Sequence, residues 1–198
     1  RSTLFPYTTL FRSVKLIKGK TVTQGYYQRP QETAEAFVDG WFRTGDMGKL
    51  EGETLYMTDR LKDLFKTSNG KYISPQAIEI ALTADPYIEQ VAVFGNNRNY
   101  VTAIISPSMP LLEKFAKENN IRYDRIEETF DNPLVQKLFE EKIAAMQTDF
   151  ASFEKVKKFR LIRRSFSIES GELTSTLKLK RAVIQQNYAA LIEDMYAE

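Results

Sequence analysis

Trp41-Phe42-Arg43-Thr44-Gly45-Asp46 sets a carboxylate directly after a glycine turn, and Asp59-Arg60-Leu61-Lys62-Asp63 follows thirteen residues after that Asp. Lys66 and the turn Ser68-Asn69-Gly70-Lys71 come next. A carboxylate at a turn, here Asp46, accepts two hydrogen bonds from the vicinal hydroxyls of a ribose, and Arg60 can add donors to the same sugar. Near the C-terminus, Glu169-Ser170-Gly171-Glu172 leads into Leu173-Thr174-Ser175-Thr176-Leu177-Lys178-Leu179-Lys180-Arg181. This reads as a flexible polar loop that delivers Lys178 just before a helix. A compact ammonium suits the charge that builds when a carboxylate attacks a phosphate. Each piece alone has a plainer reading: a turn-stabilising Asp, a surface ion pair, a solvated basic helix start.

Composition narrows the chemistry. The chain has neither histidine nor cysteine, which excludes Ser/His and Cys/His triads, thiolate nucleophiles, disulfides and His- or Cys-bound zinc. Catalysis must therefore rest on Lys, Arg, Asp, Glu, Tyr or backbone groups. With 28 basic against 26 acidic residues, the net charge of +2 gives no reason to expect nucleic acid as partner. The aromatic spacing follows helix and strand faces rather than a stacking platform. A basic run, Lys155 to Lys158 with Arg160, Arg163 and Arg164, is interleaved with Phe153, Val156, Phe159, Leu161 and Ile162 and reads first as a charged strand edge, with contact to a ligand's phosphate groups as the lesser alternative. No apolar run approaches the roughly 20 residues that span a bilayer, and a cytoplasmic location is the expectation.

The elements that must position these residues are short. Residues 1–13 contain a crude duplication, resemble translated adaptor DNA and are expected to be non-native. Residues 14–17 form a strand candidate and 31–37 a short helix closed by Asp39-Gly40; β-prone stretches over 41–58 alternate with glycines as hairpins. From about Lys62 the pattern is more self-sufficient. Ser74 caps a helix with Pro75 in its first turn and Ala77, Ile78, Ala81 and Leu82 on its apolar face. Strands are expected over 88–94, 100–106 and 158–163. Helices are expected over 110–118, from Pro133 with Leu134, Leu138, Phe139, Ile143 and Met146 inward, and over 179–196 with Ile184, Tyr188, Leu191, Ile192 and Met195 inward. The fold class is α+β: a small mixed-sheet C-terminal domain with flanking helices, residues 62–198, preceded by a β-rich remnant of a large N-terminal domain, residues 14–61.

Taken together and in order, the Trp41–Asp46 motif, Asp59-Arg60-Leu61-Lys62-Asp63, Asn69-Gly70-Lys71-Tyr72-Ile73-Ser74-Pro75 with Glu79, and Leu173-Thr174-Ser175-Thr176-Leu177-Lys178 resemble the adenylate-forming superfamily. The Gly25-Tyr26-Tyr27 turn before Pro30 and Thr33-Ala34 matches as well, and the chain is most similar to long-chain fatty acyl-CoA synthetases. The resemblance implies that Asp46 holds the ribose of ATP with help from Arg60, and that Lys62 is the hinge between a large and a small domain. It further implies that Lys66 faces the active site during thioester formation, that Gly70 lines the pantetheine path, and that Lys178 is the adenylation lysine.

It implies fatty acid, ATP, CoA and Mg2+ as the complete enzyme's substrates and cofactors, with peripheral membrane contact by analogy. The phosphate loop, the magnesium-ligating acid and the acyl tunnel are expected upstream of Val14. No metal ligand is therefore expected within the chain, and the 198 residues alone are expected to be inactive. Two alternatives stay open: a short-chain or aryl acid ligase, and a non-catalytic, free-standing C-terminal module.

Overall fold

Brief β-prone stretches punctuated by glycine favour antiparallel hairpins, because glycine supplies the positive φ that tight turns need. The computed structural model describes residues 13–51 and 54–197, with a boundary between two compact units at Leu64 and Phe65. Apart from the backbone of Ser13, the segment 1–13 lies outside the described residues.

The first unit is a four-stranded antiparallel sheet. Strand β1 (Ser13–Ile17) pairs with the long β3 (Trp41–Glu51), which also pairs with β2 (Phe37–Val38) and β4 (Thr54–Arg60). Helix α1 (Pro30–Ala36) begins on its proline, where a missing N–H costs nothing. Asp39 and Gly40, with φ of +49° and +76°, make the two-residue turn from β2 to β3. Only Lys15, Met47 and Gly48 are buried among the described side chains of this unit.

The second unit opens with a small ribbon, β5 (Phe65–Lys66) against β6 (Tyr72–Ile73), and the capped helix α2 (Pro75–Leu82). Its central sheet has the order β7 (Ile88–Phe94), β8 (Val101–Pro107), β9 (Val156–Leu161). Strand β8 is antiparallel to β7 and parallel to β9. The parallel pair requires a long crossover, which α3 (Met109–Glu118) and α4 (Pro133–Met146) provide. Two helices, α5 (Arg181–Asn187) and α6 (Ala189–Tyr196), end the unit.

Every residue of β8 is buried because helices cover both faces of the sheet. Val91, Val93, Val101, Ala103 and Ile105 pack with Ile78, Leu82, Leu112, Val135 and Phe139 on one side. Ala92, Phe94 and Ile104 pack with Ile184, Ile192 and Met195 on the other. The period of two along β7 divides its side chains between these layers, and the α+β class holds.

Three details differ from the sequence reading. The expected helix over 179–196 is two helices, broken at Tyr188 (φ −112°, ψ 22°), whose ring packs edge-on against Phe166 at 6.1 Å. The break lets Ile184 in α5 and Ile192 and Met195 in α6 reach one apolar cluster, while Leu191, expected inward, is left exposed. Second, α4 buries Val135, not Leu134, which is 47% exposed. Third, Ala77 and Ala81 are only partly covered in α2, while the charged Glu79 is buried with Ile78 and Leu82.

Candidate functional site

In the first unit the register of β3 and β4 sets Asp46 opposite Arg60. Arg60 Nε lies 3.3 Å from Asp46 Oδ1. Gly45, at φ +74°, bends β3 just before Asp46; no atom crowds the position, so backbone conformation rather than space calls for glycine there. The Asp46 amide donates to Thr44 Oγ1 at 3.0 Å, and Thr44 Oγ1 donates to the Lys15 carbonyl at 3.3 Å. The carboxylate is thereby braced from below, partly buried, and engaged by Arg60 through one oxygen, which leaves acceptor capacity for vicinal hydroxyls.

Lys15, a residue the sequence reading passed over, lies beneath this strand pair. Its ammonium contacts Met57 Sδ, and it crosses Gly48 so closely that a Cβ there would overlap Lys15 Cε. Burial draws the Lys15 ammonium below the ordinary lysine range, and the Asp46 carboxylate opposes the shift. Lys62 falls on a single 3-10 turn, Leu61–Asp63, and its side chain lies outside the described residues.

In the second unit Lys66 and Gly70 share one hairpin. Lys66 pairs with Tyr72 across β5 and β6, and its ammonium sits 5.7 Å from the Tyr72 ring centroid. Gly70 takes φ +77°, and its amide donates to the Thr67 carbonyl at 2.9 Å. A Cβ at Gly70 would touch only Lys66 Cε, at 3.8 Å, so conformation is the reason for glycine. The hairpin is tied to the β7–β8 turn. Asn97 N–H donates to the Lys66 carbonyl at 2.8 Å, and Ser68 N–H donates to the Arg98 carbonyl at 3.0 Å.

Lys178 stands on a separate loop, which is hydrogen-bonded throughout rather than open. Leu173 and Leu179 form an antiparallel bridge. Within it, Thr174 N–H donates to the Lys178 carbonyl at 2.8 Å, and Lys178 N–H donates to Thr174 Oγ1 at 3.0 Å. Leu177 holds φ +59° to close the turn, an unusual conformation for a branched residue. Lys178 itself is exposed.

Two ion pairs brace the ends of this loop, and neither was foreseen. Before it, the buried Glu172 carboxylate accepts from both Arg164 guanidinium nitrogens (2.9 and 3.2 Å), Asn187 Nδ2 (2.9 Å) and Ser170 Oγ (2.6 Å). Burial alone would raise this carboxyl, but Ser170, Asn187 and Arg164 together hold it below the ordinary range. After the loop, Arg181 Nη2 donates to Glu79 Oε1 at 2.5 Å and Arg181 Nε donates to the Val93 carbonyl at 3.1 Å. The available signal for Glu79 was its position on the face that Pro75, Ile78 and Leu82 bury in α2. A charged residue on such a face demands a partner.

Residues 62–198 match the family model described as the AMP-binding enzyme C-terminal domain. Long chain acyl-CoA synthetase 2 of Arabidopsis thaliana is 31% identical over 186 residues, 92% of this chain and 28% of the relative. Long-chain-fatty-acid–CoA ligase 1 of Homo sapiens is 37% identical over 187 residues, 91% of this chain and 26% of the relative. Among solved structures, the adenylation and carrier didomain of carboxylic acid reductase from Segniliparus rugosus, in complex with AMP, superposes with a TM-score of 0.80 at 25% identity. It covers 100% of this chain and 28% of that one. The chain thus spans less than a third of the length of the relatives it matches. An ordered set of motifs, a three-layer unit around β8 and a family match over residues 62–198 meet in one conclusion: the chain belongs to the adenylate-forming, AMP-binding enzymes, whose C-terminal domain it carries.

Proposed function

We propose that this chain is the C-terminal part of an ATP-dependent long-chain fatty acid–CoA ligase. The observation that carries the reading is Lys178, an exposed ammonium on a turn hydrogen-bonded on both stems and anchored on either side by Glu172 and Arg181. Holding a cation on a braced loop lowers the ordering cost of bringing it to a developing charge.

In the first step a fatty carboxylate oxygen attacks the α-phosphorus of ATP, and pyrophosphate leaves. Lys178 neutralises the charge shared by the carboxylate and the phosphate. Asp46 accepts the ribose hydroxyls, and Arg60 adds donors from the neighbouring strand. In the second step the CoA thiolate attacks the acyl carbonyl carbon and AMP leaves. Lys66 and the Gly70 turn serve this step after rotation about Lys62, on a boundary between residues 14–61 and 62–198. The scant burial in the first unit supports its assignment to the edge of a larger domain. Among the described residues no group of three or more acidic side chains could hold a metal ion, so no step is assigned to magnesium through this chain.

The test has two arms. Genomic sequence upstream of Val14 should carry, in frame, a glycine-, serine-, threonine- and lysine-rich phosphate loop. The protein that includes it should release pyrophosphate from ATP in a manner dependent on long fatty acids. A native start codon at Val14, or activity only with short or aryl acids, would overturn the assignment.

A further inference from the structure

Lys66 and Gly70 sit on a ribbon whose strands, β5 and β6, are two residues each. A two-stranded hairpin of that length does not hold its own shape in water. Phe65 and Ile73 bury its base, but Lys66 and the turn over 68–72 are exposed. The tip therefore takes its position from what it bonds to. Three hydrogen bonds join it to the β7–β8 turn. Asn97 N–H donates to the Lys66 carbonyl at 2.8 Å, Ser68 N–H to the Arg98 carbonyl at 3.0 Å, and Ser68 Oγ to Asn99 Oδ1 at 2.6 Å.

That turn is itself exposed at Asn96, Asn97 and Asn99, with Asn97 at φ +56°, so it too needs an anchor. Arg98 supplies one. Its guanidinium carbon lies 4.6 Å from the Tyr196 ring centroid, and its Nη2 pairs with Glu193 Oε1. Both partners belong to α6. Tyr196 is in turn fixed on the sheet: its ring lies 5.1 Å from that of Tyr100, and its hydroxyl accepts from Thr102 Oγ1 at 3.0 Å and donates to the Tyr100 carbonyl at 3.2 Å. The Tyr100 hydroxyl donates to the Met195 carbonyl at 2.7 Å, closing the clamp. A guanidinium that meets a ring and a carboxylate together is restricted to one geometry, which a flexible ammonium matches poorly.

We infer that Arg98 is a positioning residue for the Lys66–Gly70 hairpin, anchoring it through the β7–β8 turn to the C-terminal helix α6. Arg98 acts through the turn and not on substrate: it sets where the Lys66 ammonium and the Gly70 backbone stand for the thioester-forming step. The consequence for catalysis rests on the ligase reading; the anchoring does not. Lys178 stands on a loop braced by Glu172 and Arg181 instead, so loss of Arg98 acts on one lysine and not on the other.

The first measurement is amide hydrogen exchange in the 198-residue chain, read by NMR for Arg98→Gln and Glu193→Gln. Exchange of the Ser68, Gly70 and Asn97 amides should quicken by about threefold, with the Thr174 and Lys178 amides unchanged. The second uses the complete enzyme. There Arg98→Gln should slow acyl-CoA formation from acyl-AMP and CoA about threefold more than it slows fatty-acid-dependent ATP–pyrophosphate exchange. Arg98→Lys should recover part of that difference. Hairpin exchange unaltered in either variant, exchange quickened equally at Lys178, or an unchanged ratio of the two half-reactions would overturn the proposal. An unaltered complete enzyme that forms no acyl-CoA would sink the ligase reading instead, and the exchange rates would still decide the anchoring.

Discussion

Arg181 and Glu79 are 102 residues apart in the chain, yet Arg181 Nη2 and the Val93 N–H both donate to one oxygen, Glu79 Oε1, at 2.5 and 2.9 Å. Arg181 Nε donates to the Val93 carbonyl as well, so one guanidinium joins α2, β7 and the start of α5. The start of α5 is three residues beyond Lys178. The contact therefore fixes the base of the lysine loop as much as it stabilises the sheet.

Removing one partner leaves the other charge largely buried and unpaired. Arg181→Ala should lower unfolding stability by about 2–3 kcal/mol, read from urea denaturation. Glu79→Gln keeps an acceptor for Val93 and should cost less.

Glu172 gives a pH signature. Its folded carboxyl lies below the ordinary range, so the unfolded chain takes up the proton first as pH falls. The stabilisation is complete above the unfolded carboxyl's value of about 4.3 and is lost as pH falls through the lower, folded value. Glu172→Gln should flatten the acid limb of a stability–pH curve while leaving its shape near neutrality unchanged.

Gly70 and Gly95 separate two reasons for glycine. Gly70→Ala meets only ordinary contact with Lys66 Cε but a φ of +77°, and should cost about 1 kcal/mol for backbone strain alone. Gly95 has no such φ, but a Cβ there would lie 2.7 Å from Phe65 Cε2, inside a packed core. Gly95→Ala should cost about 1–3 kcal/mol and should shift Phe65 ring resonances, which Gly70→Ala should not.

Arg60 is 70% exposed, so its pair with Asp46 contributes less than about 1 kcal/mol to stability. In the complete enzyme, Arg60→Ala should leave the melting temperature nearly unchanged and raise KM for ATP. A loss of stability with unchanged KM would make the pair structural.

Much of this was legible in the sequence because it rests on local chemistry. Ser74-Pro75 and Asn132-Pro133 announce the starts of α2 and α4, and both caps form, with Ser74 Oγ accepting from Ala77 and Asn132 Oδ1 from Leu134. The turn before Asp46 and the Asn69-Gly70 turn were readable for the same reason. Long-range partners were not. Nothing near Glu79 names Arg181, and nothing near Glu172 names Arg164 and Asn187 together, because those pairings exist only once helices cover both faces of β8. Tyr188 defeated the helix reading differently: the apolar period runs through it, and packing against Phe166 breaks the helix there.

The most direct test concerns Lys178. In the complete enzyme, Lys178→Ala should abolish fatty-acid-dependent ATP–pyrophosphate exchange while sparing acyl-CoA formation from supplied acyl-AMP and CoA. Equal loss of both half-reactions would contradict the division of roles between Lys178 and the Lys66–Gly70 hairpin.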